Sequence, residues 1–427
     1  MKGNFPNPGP LGGFIAIILS VTFYQLLQKN ILKTPVKLAF YLLAILMMLF
    51  VLLKSGSRAA MLSAVISITF LACYYGLKKW KYFKYILISL IPIVIAIVLS
   101  KGTDSIQGRL LIWKIAFLSF WNHPLIGIGY DFFGAQYLNL QAEYFSNGGT
   151  IKEILLAGSN SQAFNEFLKF ILENGIIGIV LIIIACVWIF KSRSLTKEKF
   201  LLTSVGVYLS FSIFAFFSFP LQFLPFKLLL INQIALQNYS SIPLRIQINQ
   251  NLKKIAFSLI SGILLFTITQ QYNGFRAWKN ASELEYTNPG FSKTLYEYAE
   301  KRLNNDGSFL LSYGHFLEDT DIDTSLFLYE KAKKISNMPI LYSKTANLYE
   351  KKQNYKSAED NLLKLHFIQP HLFKPQEKLL EFYIRHGNLE NARFYANEIL
   401  KTPVKIKSQE VSFIKLKAKK YLINSIY

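Results

Sequence analysis

The chain has 427 residues, 52% of them hydrophobic, 15% aromatic and only 17% charged, with a formal net charge of +22. An average soluble domain carries about 25% charged residues. The apolar residues here fall in long blocks, which excludes disorder, collagen, a coiled coil and a single water-soluble globule. Residues 1–271 hold 23 Lys+Arg against 7 Asp+Glu, and residues 272–427 hold 24 against 18. Most of the excess lies in short loops between apolar runs. That is the positive-inside pattern of a multi-pass membrane protein, not a nucleic-acid-binding stripe.

In chain order, Gly3 to Pro10 precedes the first apolar run without a basic stretch, so no cleavable signal is expected. Eight spans are predicted, at about 11–27, 36–53, 59–77, 85–100, 175–190, 200–219, 221–237 and 255–271. At about 1.5 Å per residue each covers most or all of a hydrocarbon core. Lys29, Lys33 and Lys37, then Lys78 to Lys84, then Lys191 to Lys199, then Arg245, Lys253 and Lys254 mark four cytoplasmic loops. The connections 1–10, 54–58, 101–174 and 219–220 are then outside, with everything beyond Gln271. The seventh span, with Pro225, Lys227 and Asn232, is the weakest, and the outside position of the tail depends on it. Cys73 and Cys186 lie inside apolar runs without metal-ligand spacing and read as small packing residues.

The outside loop 101–174 is long enough to be functional. Arg109 to Trp121 repeats apolar residues at helical spacing. Trp121-Asn122-His123-Pro124-Leu125-Ile126-Gly127-Ile128-Gly129 reads as a turn after it. Asn160 to Gly178 reads as a helix entering the membrane, with Asn165, Glu166, Lys169 and Glu173 on one polar face and Glu166 placed to pair with Lys169. Arg58 and Arg109 lie on the side with few cations. A guanidinium near hydrocarbon needs a partner or a wet cavity. The two either snorkel to the interface or clamp an anion, and planar, bidentate Arg suits a phosphate.

Beyond Gln271 the chain turns polar and helical. Tyr349-x5-Tyr355-x2-Ala358 returns as Tyr383-x5-Leu389-x2-Ala392, offset by 34 residues, and an earlier unit spans Tyr313 to Ala332. This resembles tetratricopeptide repeats, whose stacked helix pairs present a binding face. His315, His366, His371 and His386 lack ligand spacing and read as surface or packing residues. No Ser-His-Asp set, P-loop, HExxH, CxxC or metal cluster stands out, so a site without metal or cofactor is expected.

Four marks in this order resemble the O-antigen ligase / O-antigen polymerase family of lipid-linked glycan transferases: Gly3-x-Phe5-x-Asn7-Pro8; Ser57-Arg58-Ala59; Gly108-Arg109-x3-Trp113 followed by Pro124-Leu125-Ile126-Gly127-Ile128-Gly129; and Asn165-x9-Gly175-Ile176-Ile177-Gly178. The resemblance covers about residues 3–240. It implies transfer of a glycan from undecaprenyl pyrophosphate on the periplasmic face of the bacterial inner membrane. The acceptor is lipid A–core in ligases, another lipid-linked glycan in polymerases and a protein in related oligosaccharyltransferases. By the same resemblance Arg58 and Arg109 hold the pyrophosphate, and Asn7, Trp113, Tyr130 and Asn165 are further substrate-binding candidates. Ligases carry His where this chain has Phe164, which cannot accept a proton. The candidate bases are then Glu166, Glu173, Asp131 and His123, unless the leaving group makes a base unnecessary.

Family members usually have several spans before the Asn-Pro mark, so the resemblance implies either a fragment, truncated at its N-terminus, or a mis-called start. The expected fold is all-α: a polytopic helical bundle over 1–271, with the outside loop 101–174, then a periplasmic tetratricopeptide-like domain over 272–427 that binds an acceptor or protein partner. The rival is a membrane scaffold or transporter without enzymatic activity. Against it, no internal repeat of broken helices is visible, and the polar marks gather on one side.

Overall fold

A computed structural model describes residues 2–3, 5–26, 34–74, 103–129, 133–160, 162–191, 198–238 and 250–424. Among these the chain is all-helical, without a strand. In order the helices are α1 (Pro8–Leu26), α2 (Pro35–Ser55), α3 (Arg58–Tyr74), α4 (Thr103–Phe120), α5 (Phe133–Ser146), α6 (Ile151–Leu156), α7 (Glu166–Lys191), α8 (Glu198–Phe216) and α9 (Leu224–Asn238). They continue as α10 (Gln250–Leu284), α11 (Pro289–Leu303), α12 (Gly307–Leu317), α13 (Ile322–Ile335), α14 (Pro339–Lys351), α15 (Tyr355–Ile368), α16 (Phe373–Arg385), α17 (Leu389–Lys401) and α18 (Gln409–Asn424). The chain forms two compact units, residues 1–129 with 162–245 and residues 130–161 with 246–427.

Four helical stretches among the described residues are long and apolar enough to cross a membrane: Pro8–Leu26, Pro35–Ser55, Glu166–Ile184 and Lys254–Leu284. Shorter apolar helices cover Arg58–Cys73, Ser204–Phe216 and Leu224–Ala235. Seven of the eight expected spans therefore coincide with apolar helices, and the chain is a membrane protein. The fourth expected span, 85–100, lies outside the described residues, as do most of the expected cytoplasmic loops.

In the first unit α1 packs against α2, α3 and α8. Its contact face is small. A Cβ added at Gly12 would come 2.6 Å from Ser55 Oγ, and one at Gly13 would strike the Phe214 ring. Ser20 and Ser67 hydroxyls meet at 2.6 Å. Small residues and inter-helix hydroxyl contacts are how helices associate where lipid removes the hydrophobic drive. By contrast α2 buries only Leu52 and Ser55 and exposes Phe40, Leu46, Met47 and Leu53, an apolar surface suited to lipid. Cys73 and Cys186 are free and exposed. The reading of both as packing residues is thus corrected: each lies on the outward face of its apolar helix.

In the second unit α10 is a single helix of 35 residues, about 52 Å long. Its apolar first half passes without a break into a polar second half at residue 271, where the composition changes. From there antiparallel helix pairs follow. Asn288, Asp321, Asn354 and Asn388 cap α11, α13, α15 and α17, each accepting from the backbone N–H three residues on. These caps recur every 33 or 34 residues, and each contributes about 1 kcal/mol. Four residues after each cap stands a small, fully buried residue: Ser292, Ser325, Ala358 and Ala392. It lets the paired helix approach closely.

Candidate functional site

Arg58 is placed by a tight turn between two helices. Gly56 ends α2 in the left-handed region (φ 64°, ψ 9°), which a glycine adopts without strain, and its N–H donates to Leu53 O at 3.2 Å. Ser57 then starts α3, its side chain accepting from Ala60 N at 3.4 Å. Arg58 is the first helical residue. A cation there opposes the helix dipole, so this arginine does not serve the helix it begins.

Arg109 lies in the second turn of α4. Its Nη1 donates to the Phe217 carbonyl at 3.0 Å, and its guanidinium stands over the Phe164 ring, 5.1 Å from the centroid. Burial, and then the charge of Arg58, lower the Arg109 pKa from its ordinary value. An arginine nonetheless stays protonated at neutral pH. The two guanidinium groups are thus near enough to repel. Neither the Phe217 carbonyl nor the Phe164 ring carries a charge to balance Arg109, and an anion within reach of both arginines would be attracted to each.

Two short segments frame Arg109, residues 162–166 and 217–222, and they are stitched to each other. Gln222 Nε2 donates to Gln162 Oε1 at 2.7 Å, and Leu221 N donates to Glu166 Oε1 at 2.8 Å. The Phe164 and Phe219 rings meet edge-on at 5.3 Å. Trp113, one turn beyond Arg109, donates from Nε1 to Ala163 O at 2.8 Å and meets Phe216 edge-on. Phe164 holds φ at +52°, an outlier for a bulky side chain. Asn165 is buried and caps α7, its Oδ1 accepting from Leu168 N at 3.0 Å.

The glycine-rich marks form one device. α7 is broken at Gly175 (φ 60°, ψ −161°). The 124–129 turn is spliced into the break: Ile128 N donates to Leu172 O at 2.9 Å and Gly129 N to Glu173 O at 3.0 Å, while Ile176 N donates to Pro124 O at 2.9 Å and Ile177 N to Leu125 O at 3.1 Å. The four backbone groups that the break deprives of helical partners are all satisfied by the turn. A Cβ at Gly127 would lie 2.5 Å from Leu172 O, and one at Gly175 would lie 2.5 Å from the Leu125 carbonyl carbon. These glycines serve backbone approach.

The structure therefore brings Arg109, Trp113, Asn165 and Glu166 together, with Arg58 within electrostatic reach of Arg109. Glu173 is buried seven residues further along α7, about 10 Å along its axis, with Lys169 Nζ 3.7 Å from its carboxylate. His123 is exposed in the turn after α4. From Arg109 to the end of that helix is about 16 Å. Asn7 is exposed and caps α1, accepting from Gly9 N at 3.0 Å. Tyr130 and Asp131 lie outside the described residues. The Phe217 carbonyl and the Gln162–Gln222 pair were not singled out from the sequence, and Phe164 only as the residue standing where ligases carry His. Only the short connection expected at 219–220 pointed to the second segment. Among the described residues no three His, Cys, Asp or Glu side chains converge on a common point.

The fold and the site define an all-helical membrane protein with a half-buried arginine held beside a stitched aromatic turn. A family model described as O-Antigen ligase matches residues 42–183, about a third of the chain. The match spans both arginines, Trp113, the Phe164–Glu166 segment and the splice at Gly175. It supports a glycan-transfer role of the ligase or polymerase kind. No match was found among curated proteins or among solved structures.

Proposed function

We propose that this protein transfers a glycan from undecaprenyl pyrophosphate to an acceptor, lipid A–core first among them, on the periplasmic face of the bacterial inner membrane. The observation that carries the reading is the built site around Arg109, held by the Phe217 carbonyl over the Phe164 ring with Arg58 in electrostatic reach, inside the matched region. An acceptor hydroxyl attacks the anomeric carbon, the bond from that carbon to the pyrophosphate oxygen breaks, and undecaprenyl pyrophosphate leaves with the electron pair. Charge grows on the leaving phosphate, where two fixed cations lower the barrier. Pyrophosphate leaves readily, so the hydroxyl proton passes to water without a dedicated histidine, and Phe164 fills that position instead. Glu166 is assigned a positioning role: it holds Leu221 N, in the segment whose Phe217 carbonyl holds Arg109. The helix pairs of the second unit are tetratricopeptide-like and periplasmic in this reading, and the site needs neither metal nor cofactor.

An envelope glycan profile from cells with and without the gene tests the assignment. Loss of long glycans from lipid A–core, with lipid-linked chains accumulating, is expected. Single-repeat glycans still on the core would make the protein a polymerase. Unchanged lipopolysaccharide with lost protein glycosylation would move the acceptor to protein. No change in any glycan would favour the scaffold or transporter.

A further inference from the structure

The outer segment 133–160 does not stand alone. Its helix α5 packs on the second unit's α15 and α13, burying Phe133, Ala135, Tyr137, Leu138, Ala142 and Phe145. Apolar contact alone would let a helix slide, but here polar anchors fix its register. Gln141 is 1% exposed. Its Nε2 donates to Gly158 O at 3.1 Å and to Ile368 O, at the end of α15, at 2.6 Å, and its Oε1 accepts from Tyr137 Oη at 2.9 Å. The amide thereby uses both donors and its acceptor. Asn139 Oδ1 accepts from Asn337 Nδ2 at 3.0 Å and from Tyr342 Oη at 2.9 Å. Both partners are buried. Gln369 Nε2 donates to Ser159 Oγ, and Lys405 Nζ donates to Leu155 O at 2.8 Å. These partners stand about two hundred residues away in sequence. A buried amide stripped of such partners is costly, so a satisfied set specifies one arrangement.

We propose that the side of the helical array formed by α13, α14, α15 and the turns after them, with Lys405 beyond α17, is a receptor for this chain's own outer segment, and that the tail serves to order that segment. In sequence the segment is inserted between Gly129, the last residue of the splice at Gly175, and Gln162, the first residue of the stitched turn beside Arg109. Ordering it reduces, through chain connectivity alone, the conformations open to the residues on either side. The consequence for transfer rests on the proposed function; the latch itself does not.

The test uses the full-length protein in detergent, with amide hydrogen exchange read over 133–160. Asn139→Ala with Gln141→Ala removes the anchors from the segment. Tyr342→Phe removes one hydroxyl from the array while keeping its core. Exchange over 133–160 is expected to rise at least tenfold in the double variant and measurably in Tyr342→Phe, with 289–317 and 373–401, which carry none of the anchors, unchanged. Glycan transfer is expected to fall with it. Arg58→Ala and Arg109→Ala are expected to abolish transfer without altering exchange over 133–160. Unchanged exchange in both anchor variants would overturn the latch. Raised exchange with full transfer would overturn its role in the site. Active arginine variants would instead sink the arginine clamp, absence of transfer by the natural protein would sink the transferase reading, and either would leave the exchange result standing.

Discussion

Phe164 is the residue on which the site turns. Its left-handed φ costs roughly 1–3 kcal/mol, and in return its ring lies beneath the Arg109 guanidinium and against Phe219. A cation–π contact is worth about 0.5–2 kcal/mol. Phe164→Leu keeps the bulk and loses the ring face. It is expected to lower transfer by roughly 2- to 30-fold, while Phe164→Tyr retains most of it. Equal losses in both would mean that the ring only fills space. The arginines were legible in the sequence because a cation on the poorly charged side of a membrane protein needs a reason. The groups that hold Arg109 were not. Phe217 contributes a backbone carbonyl, which any residue has, and Glu166 looked like part of a solvated face until Leu221 was found on its carboxylate.

At the scale of elements, two glycines from the same marks carry opposite expectations. Gly175→Ala places a Cβ against the Leu125 carbonyl at a φ/ψ that only glycine tolerates. It is expected to cost about 3 kcal/mol or more and to lower the unfolding midpoint sharply. Gly108 is helical, with nothing within 4 Å of an added Cβ. Gly108→Ala is expected to be neutral or to stabilise by up to about 1 kcal/mol. A loss of transfer in it therefore reports on substrate passing that face. In the tail, burial lowers the His366 pKa to about 4. Between pH about 4 and 6.5 the unfolded chain binds a proton that the folded tail does not, so stability falls as pH drops through that window, by about 1.4 kcal/mol per unit. His366→Phe is expected to flatten the slope in a pH series of thermal melts, and an unchanged slope would assign it to another group. The spans and the 34-residue period could be read from the sequence because blocks and periodicity report elements. The splice could not, since two glycine marks 46 residues apart show nothing of their pairing.

For the whole molecule, the compositional change at residue 271 is real, but α10 runs through it unbroken. A helix crossing from lipid to water needs a change of side chains, not a break in its backbone. The segment 130–161 shares a unit with the tail, a grouping carried by contacts between residues about two hundred positions apart, which no local pattern reveals. The central claim remains the paired-arginine site. Its most direct test is consumption of a lipid-pyrophosphate-linked glycan, with release of the lipid pyrophosphate, by the purified full-length protein in detergent given an acceptor. Turnover by the natural protein, lost by at least a hundredfold in Arg58→Ala and in Arg109→Ala while both remain folded, is the expected result. Turnover unchanged in both variants, or none by the natural protein under conditions where cells show transfer, would contradict it.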